Sequence, residues 1–229
     1  MKSLDSNQVW WDEKWQRQPG LLSSVVEKIE RKMRNIIYGP VIRELLEGVN
    51  LKRGDILELG CGTGLTSLNI AREFGCASVT LLDFSRKALE RARREIEVVE
   101  KKGRLEFKVE TVQADALHPP FWDKKKFDLV HSTGLAEHFF GEERRKIIHT
   151  HAHLTQKNGW VMILVPKKAT VVSSLFGVFN KVRGFQEEYF SEGELTNLIR
   201  KSGLRPIKKS YLLGSGSLGI LAVKKDNKR

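Results

Sequence analysis

At 229 residues, 40% hydrophobic and 30% charged, the chain can bury one full core and is too apolar to stay disordered. No run approaches the roughly 20 apolar residues of a membrane span, the opening MKSLDSNQVWWDEKW has no apolar signal core, and two cysteines cannot make a disulfide framework or a four-cysteine zinc site, so a cytosolic protein is expected. The net charge of +12 is uneven: residues 157–229 carry 14 Lys/Arg against 5 Asp/Glu, which suggests a polyanionic partner for that part of the fold.

Residues 1–50 read as one or two leader helices, with breaks at Pro19-Gly20 and Gly39-Pro40. From residue 55 short apolar runs alternate with segments of helical period. Asp55–Gly60 reads as a strand, Leu65–Phe74 as a helix, Ser78–Asp83 as a second strand and Arg86–Lys101 as a helix with a charged outer face. Phe107–Gln113 is a third strand, Phe127–Ser132 a fourth, Glu142–Leu154 a helix and Trp160–Val165 a fifth strand. Glu192–Lys201 is a helix, followed by a closing pair of strands over Ile207–Leu213 and Leu218–Lys224. This alternation implies an α/β fold, a doubly wound and mostly parallel sheet with helices on both faces. Ligands of such sheets bind beyond the carboxyl ends of the strands, at the switch point.

The sharpest motif is Glu58-Leu59-Gly60-Cys61-Gly62-Thr63-Gly64, between the first strand and the first helix of the alternation. Its glycines permit a tight turn and a close backbone approach to a ligand. Asp83, 19 residues beyond Gly64 at a strand end, suits a carboxylate receiving a ribose diol, and Asp115 follows the third strand in Gln113-Ala114-Asp115-Ala116. Taken alone, these features also fit a phosphate-binding dinucleotide fold or ordinary strand-end caps.

The run ILELGCGTG resembles the first motif of the class I S-adenosylmethionine-dependent methyltransferases. LLDFS resembles their second, VQADA their third, FDLVHSTGLAEHF their fourth-strand motif and NGWVMILVP their fifth, so the resemblance covers about residues 52–225. It implies a seven-stranded Rossmann-like sheet and S-adenosylmethionine as cofactor, leaving as S-adenosylhomocysteine. It implies a methyltransferase domain over 51–229, with residues 1–50 as leader and lid and a substrate-facing insertion at about 166–190. Glu58 and the backbone at Gly60, Cys61, Gly62 and Gly64 would hold the methionine portion. Asp83 would take the ribose hydroxyls, Phe84 would pack on the adenine, and Asp115 and the Ala116 amide would read its edge. The carbonyl region at Ser132 and Thr133 would face the ammonium and sulfonium end. An aromatic leader often covers the cofactor in this family, which assigns that role to Trp11 or Trp15; a leader helix pinned to the core by its tryptophans is the plain alternative.

Methyl transfer needs an in-line nucleophile at close range, and a base only if that nucleophile arrives protonated. Glu137 and His138, just past the fourth strand, are the candidates; the alternatives are a helix cap for Glu137 and packing for His138. His149, His151 and His153 read as an exposed helix face rather than a zinc site, and His118-Pro119-Pro120-Phe121 as a proline-containing loop after Asp115.

The acceptor is read from residues 166–190. Lys167 and Lys168 open the segment, Lys181 and Arg183 close it, and Tyr189 leads into the next helix. Basic groups flanking aromatics suit ribosomal or transfer RNA. A small-molecule or lipid acceptor is the alternative, and a protein acceptor the third. The tail Lys224–Arg229 alone reads as solvated charge. The high charged fraction with few Cys and Met suits a thermophile.

Overall fold

The computed structural model describes residues 38–103, 105–167, 187–212 and 216–225. Helix α1 spans 38–46 and is followed by β1 (Asp55–Leu59), α2 (Leu65–Phe74), β2 (Ser78–Asp83), α3 (Arg86–Lys101) and β3 (Lys108–Gln113). Then come β4 (Phe127–Thr133), a 3-10 turn at Ala136–His138, α4 (Gly141–Leu154), β5 (Thr155–Pro166), α5 (Glu192–Lys201), β6 (Leu204–Leu212) and β7 (Ser217–Lys224). The sheet has seven strands in the order β3-β2-β1-β4-β5-β7-β6. Strands β1 to β5 are mutually parallel, β7 runs antiparallel to β5, and β6 runs antiparallel to β7. The chain winds outward from β1 in one direction and from β4 in the other, so a crevice opens between those strands at their carboxyl ends.

Local chemistry fixes the element ends. Ser85 and Ser191 cap α3 and α5, their side chains accepting from the amides of Ala88 and Glu194. Gly75 ends α2 in the left-handed conformation. The sheet separates two apolar clusters: α4 and α5 pack on one face through Ile147, Ile148, Leu195 and Ile199, and α1, α2 and α3 on the other through Leu45, Leu68 and Leu89. Gly219 on β7 makes room for α1, since a Cβ there would lie 2.7 Å from Leu45 Cδ1. Lys208 on β6 then donates to the carbonyls of Glu44 and Glu47 at the end of that helix, at 3.2 and 2.7 Å.

Two strands begin earlier than the sequence predicts. β5 starts at Thr155 rather than Trp160, because Asn158 takes a left-handed φ of 59° and the strand keeps pairing through a register shift opposite Phe127 and Leu129. β6 starts at Leu204 rather than Ile207; Pro206 is tolerated on this edge strand, beside a second register shift. Among the described residues no helix is long and apolar enough to cross a membrane.

Candidate active site

Carboxylates stand at or just beyond the carboxyl ends of three adjacent strands: Glu58 on β1, Asp83 on β2 and Asp115 after β3. The loop Gly60–Gly64 passes in front of them. Gly60, Gly62 and Gly64 all have positive φ, at 64°, 54° and 70°. At Gly60 a Cβ would come within 2.6 Å of Leu135 Cδ1, and at Gly64 within 2.5 Å of Leu81 Cδ1. Both the turn and the packing therefore demand glycine.

Asp83 is only 6% exposed and ties two loops together. Its Oδ2 accepts from the Gly62 amide and its Oδ1 from the Ser85 amide, each at 2.9 Å. Glu58 is buried, and its Oε2 accepts from the Ser67 hydroxyl of α2 at 2.8 Å. Cys61 donates its amide to the Leu82 carbonyl at 3.0 Å. Burial, then Asp83 and Glu58, push its thiol well above the usual cysteine range, so the residue offers backbone rather than thiolate. Phe84 is half-buried beside Asp83, and its carbonyl accepts from Gln113 Nε2.

Asp115 Oδ1 accepts from the Leu117 amide at 2.8 Å, and Oδ2 pairs with His118 Nδ1 at 3.0 Å. Lys146 Nζ lies 2.6 Å from His118 Nε2. An ammonium can only donate, so the ring proton sits on Nδ1 and points at Asp115. Ala116 is buried next to this pair.

Past β4 the chain turns at Gly134 into Ala136–His138, where Glu137 is buried and His138 half-buried. Glu137 Oε1 would lie 3.4 Å from a Cβ at Gly134. The N-cap of α4 is Phe140, which has no side-chain cap bond of its own. The Glu137 carbonyl accepts from the Glu188 amide at 2.9 Å, and Lys167 bridges Phe190. Both flanks of the predicted acceptor segment are thereby fastened beside this turn.

The clasp is Arg144, which sequence reasoning missed. Its Nε meets Glu194 at 2.7 Å, one terminal nitrogen donates to the Glu188 carbonyl at 2.8 Å, and the guanidinium lies 3.4 Å from the centre of the Phe190 ring. Leu135, packed over Gly60, was missed as well.

Ser132 is wholly buried, and its hydroxyl donates to His151 Nε2 at 2.9 Å. Thr133 is half-buried, and its Oγ1 has no hydrogen-bond partner among the described residues. Lys167 Nζ lies 4.7 Å over the ring of the exposed Tyr211, and Tyr189 is half-buried next to Phe190. Trp11, Trp15, Lys168, Lys181 and Arg183 lie outside the described residues, as does the leader before residue 38.

Two readings need correction. His151 is not part of an exposed face: it is fully buried, whereas His149 is exposed and His153 half-buried. Lys224 is not a solvated tail residue either. It ends β7, and its ammonium donates to the Thr155 carbonyl at 2.7 Å and the His153 carbonyl at 3.5 Å, closing the end of α4.

Residues 56–159 match the family model described as a methyltransferase domain. Over that span the chain carries an S-adenosylmethionine-dependent methyltransferase domain of class I. Solved methyltransferase structures share the fold. An O-methyltransferase family protein from Burkholderia thailandensis aligns at a TM-score of 0.72 and 17% identity, over 88% of this chain and 60% of that one. The magnesium protoporphyrin IX methyltransferase ChlM from Synechocystis PCC 6803, solved with bound SAH, aligns at 0.70 and 18% identity, over 97% and 95%. At such identities the likeness is one of fold. An uncharacterized protein of Haemophilus influenzae is 28% identical over 107 residues, which are 47% of this chain and 40% of that protein. The chain thus spans 40% of the curated relative and 60% of the O-methyltransferase family protein.

Proposed function

We propose that this chain transfers the methyl group of S-adenosylmethionine to a small-molecule acceptor held between the Gly60–Gly64 loop and the Glu137–His138 turn. The observation that supports the cofactor is the set of carboxylates Glu58, Asp83 and Asp115 along neighbouring strand ends. A diphosphate would be repelled there. An ammonium, a sulfonium, a ribose diol and an adenine amino group all bring positive charge or donors to such acceptors. In this reading Glu58 and the backbone of Gly60, Cys61, Gly62 and Gly64 hold the methionine end. Asp83 takes the diol, Phe84 packs on the adenine, Asp115 and Ala116 read its edge, and the carbonyls at Ser132 and Thr133 face the sulfonium. Trp11 or Trp15 would close over the cofactor.

The bound cofactor supplies an electrophilic methyl group on sulfur. The chain's share is to hold an acceptor lone pair in line with that carbon, and such positioning can account for several kcal/mol of barrier, roughly 7–11 at the upper end. An acceptor that arrives protonated would pass its proton to Glu137 or His138.

The preference for a small acceptor rests on where the basic residues go. Lys208 and Lys224 donate to helix-end carbonyls, and Lys209 pairs with Glu192 at 2.6 Å. These cations of the basic last third are engaged within the fold, which weakens the case for an extended phosphate track. A second reading, RNA, is favoured by one observation, Lys167 stacked over the exposed ring of Tyr211. Lys168, Lys181 and Arg183 would then continue the track.

The test incubates the protein and isotopically labelled S-adenosylmethionine with a small-metabolite fraction, a lipid extract, and unmodified ribosomal and transfer RNA. Label in the small-metabolite fraction is expected. Label released only by nuclease would replace the small-molecule reading with the RNA one.

A further inference from the structure

β4 is a central strand with parallel neighbours and both faces covered, where a branched aliphatic side chain is the ordinary occupant. At His131 it instead turns a wholly buried imidazole toward α2. The ring Nε2 lies 2.7 Å from Ser67 Oγ. That hydroxyl already gives its only proton to Glu58 Oε2 at 2.8 Å, and the Ser67 amide approaches the same oxygen at 3.4 Å. Ser67 must therefore accept from the ring, which fixes the ring proton on Nε2. A directed chain results, imidazole to hydroxyl to carboxylate, ending on Glu58. Burial, reinforced by His151, pushes the His131 pKa down to about 3, so the donor stays neutral at any pH near neutrality.

Stability does not explain this chain. His131 Nδ1 has no hydrogen-bond partner among the described residues, and an unsatisfied buried nitrogen costs free energy that a leucine would not. His151, which packs on the opposite face of the same strand, is the contrast. Its Nδ1 donates to the Ile147 carbonyl at 2.8 Å and its Nε2 accepts from Ser132, so both nitrogens are satisfied and the ring fastens α4 to β4.

We propose that His131 and Ser67 are positioning residues that hold the Glu58 carboxylate ready for the ammonium of the cofactor's methionine end, which rests on the reading of Glu58 given above. An acceptor fixed before the ligand arrives loses less freedom on binding, and a swinging glutamate would bind more weakly.

The experiment titrates S-adenosylhomocysteine calorimetrically into His131→Leu, His131→Gln, Ser67→Ala, Glu58→Gln, the His131→Leu/Glu58→Gln double variant and His151→Leu, and melts each without ligand. His131→Leu, Ser67→Ala and Glu58→Gln should each weaken binding, by about tenfold. His131→Gln, whose amide nitrogen can replace Nε2, should recover affinity to within about threefold of the parent. In the Glu58→Gln background, His131→Leu should cost little more, because the two act through one contact. Unliganded His131→Leu should melt at or above the parent temperature, while His151→Leu melts lower and keeps its affinity.

Parent-like affinity in His131→Leu, no recovery in His131→Gln, or a full His131→Leu penalty on top of Glu58→Gln would overturn the proposal. So would a melting loss in His131→Leu equal to that of His151→Leu, which would make both rings plain fasteners. Unchanged affinity in Glu58→Gln would fail at an earlier point, removing Glu58 from the cofactor site and the positioning role with it.

Discussion

Replacing Asp83 with Asn removes one acceptor from a carboxylate that has two to give. The native side chain grips the Gly62 amide with one oxygen and the Ser85 amide with the other, both at 2.9 Å, and is almost closed to water. In either amide orientation, the new NH2 group must face one of those N–H groups, so one bond is lost and one buried amide left unsatisfied. A hydrogen bond to a charged group is worth roughly 1.5–3 kcal/mol, which sets the cost of Asp83→Asn near 2 kcal/mol and of Asp83→Ala near twice that. For a chain of this length each kcal/mol lowers Tm by about 2–4 °C. A drop of about 4–8 °C for Asn and roughly double for Ala is expected, read by thermal unfolding without ligand. Calorimetry with S-adenosylhomocysteine should show affinity reduced about ten- to a hundredfold. If Asp83→Asn melts like the parent, the two amide bonds carry no weight; if its affinity is also unchanged, the assignment of Asp83 to the ribose fails with them.

Acid should unfold this protein early for a definable reason. Burial holds His131 near a pKa of about 3 and His151 near about 4, while both return to ordinary values on unfolding. The neutral forms are favoured in the native state, so stability is complete above about pH 6.5 and falls by about 1.4 kcal/mol per pH unit per histidine below it. Melts at pH 7.5, 6.5 and 5.5 should show this slope, and His131→Leu should reduce it by about half. Gly64→Ala should be far more damaging than Gly103→Ala: both glycines have positive φ, but only at Gly64 would the methyl strike the buried Leu81. Equal losses of Tm in the two variants would mean that the clash is relieved at no cost. Arg144→Ala should cost roughly 2–4 kcal/mol and raise the KM for the acceptor, since it frees Glu188 and Phe190 together; an unaltered KM would separate the clasp from acceptor binding. If Glu137 or His138 handles a proton, Ala at that position should lower kcat with cofactor affinity intact, and parallel losses would mark a structural role.

The element order and most boundaries could be read from the sequence because their signals are local. Glycines close the first loop, serines cap two helices, and apolar runs of strand length lie between. Asp83 and Asp115 could be placed at strand ends by spacing for the same reason, while Glu58 came with the first motif of the family resemblance. What stayed hidden depends on partners distant in the chain. Ser67 and His131 are 64 residues apart, Arg144 reaches across 44 residues to Glu188, and His118 in the loop after β3 meets Lys146 on α4. No local pattern encodes such pairs. The early start of β5 belongs here too, because the left-handed Asn158 goes with the pairing of Thr155 to Phe127, a strand distant in the chain. The histidine triplet is a different case. Successive helix residues turn by about 100°, so position 151 points roughly 160° away from 149 and 153. The helical period places His151 opposite its neighbours, against β4.

Lys167 and Phe190 are paired across one strand spacing, and that pairing has a consequence for how such a protein can diversify. Because the two anchor points already sit side by side, the intervening stretch is an exchangeable cassette. Doubling its length would add only about 0.6 kcal/mol of closure entropy, while the bridge, Arg144 and the Glu188–Glu137 bond keep the splice points in register. If residues 166–190 face the acceptor, as the family resemblance implies, a laboratory wishing to retarget this catalyst could transplant a foreign stretch between those two residues and leave the donor-handling half of the molecule untouched. Descendants of one ancestral chain could acquire unrelated acceptors by the same route.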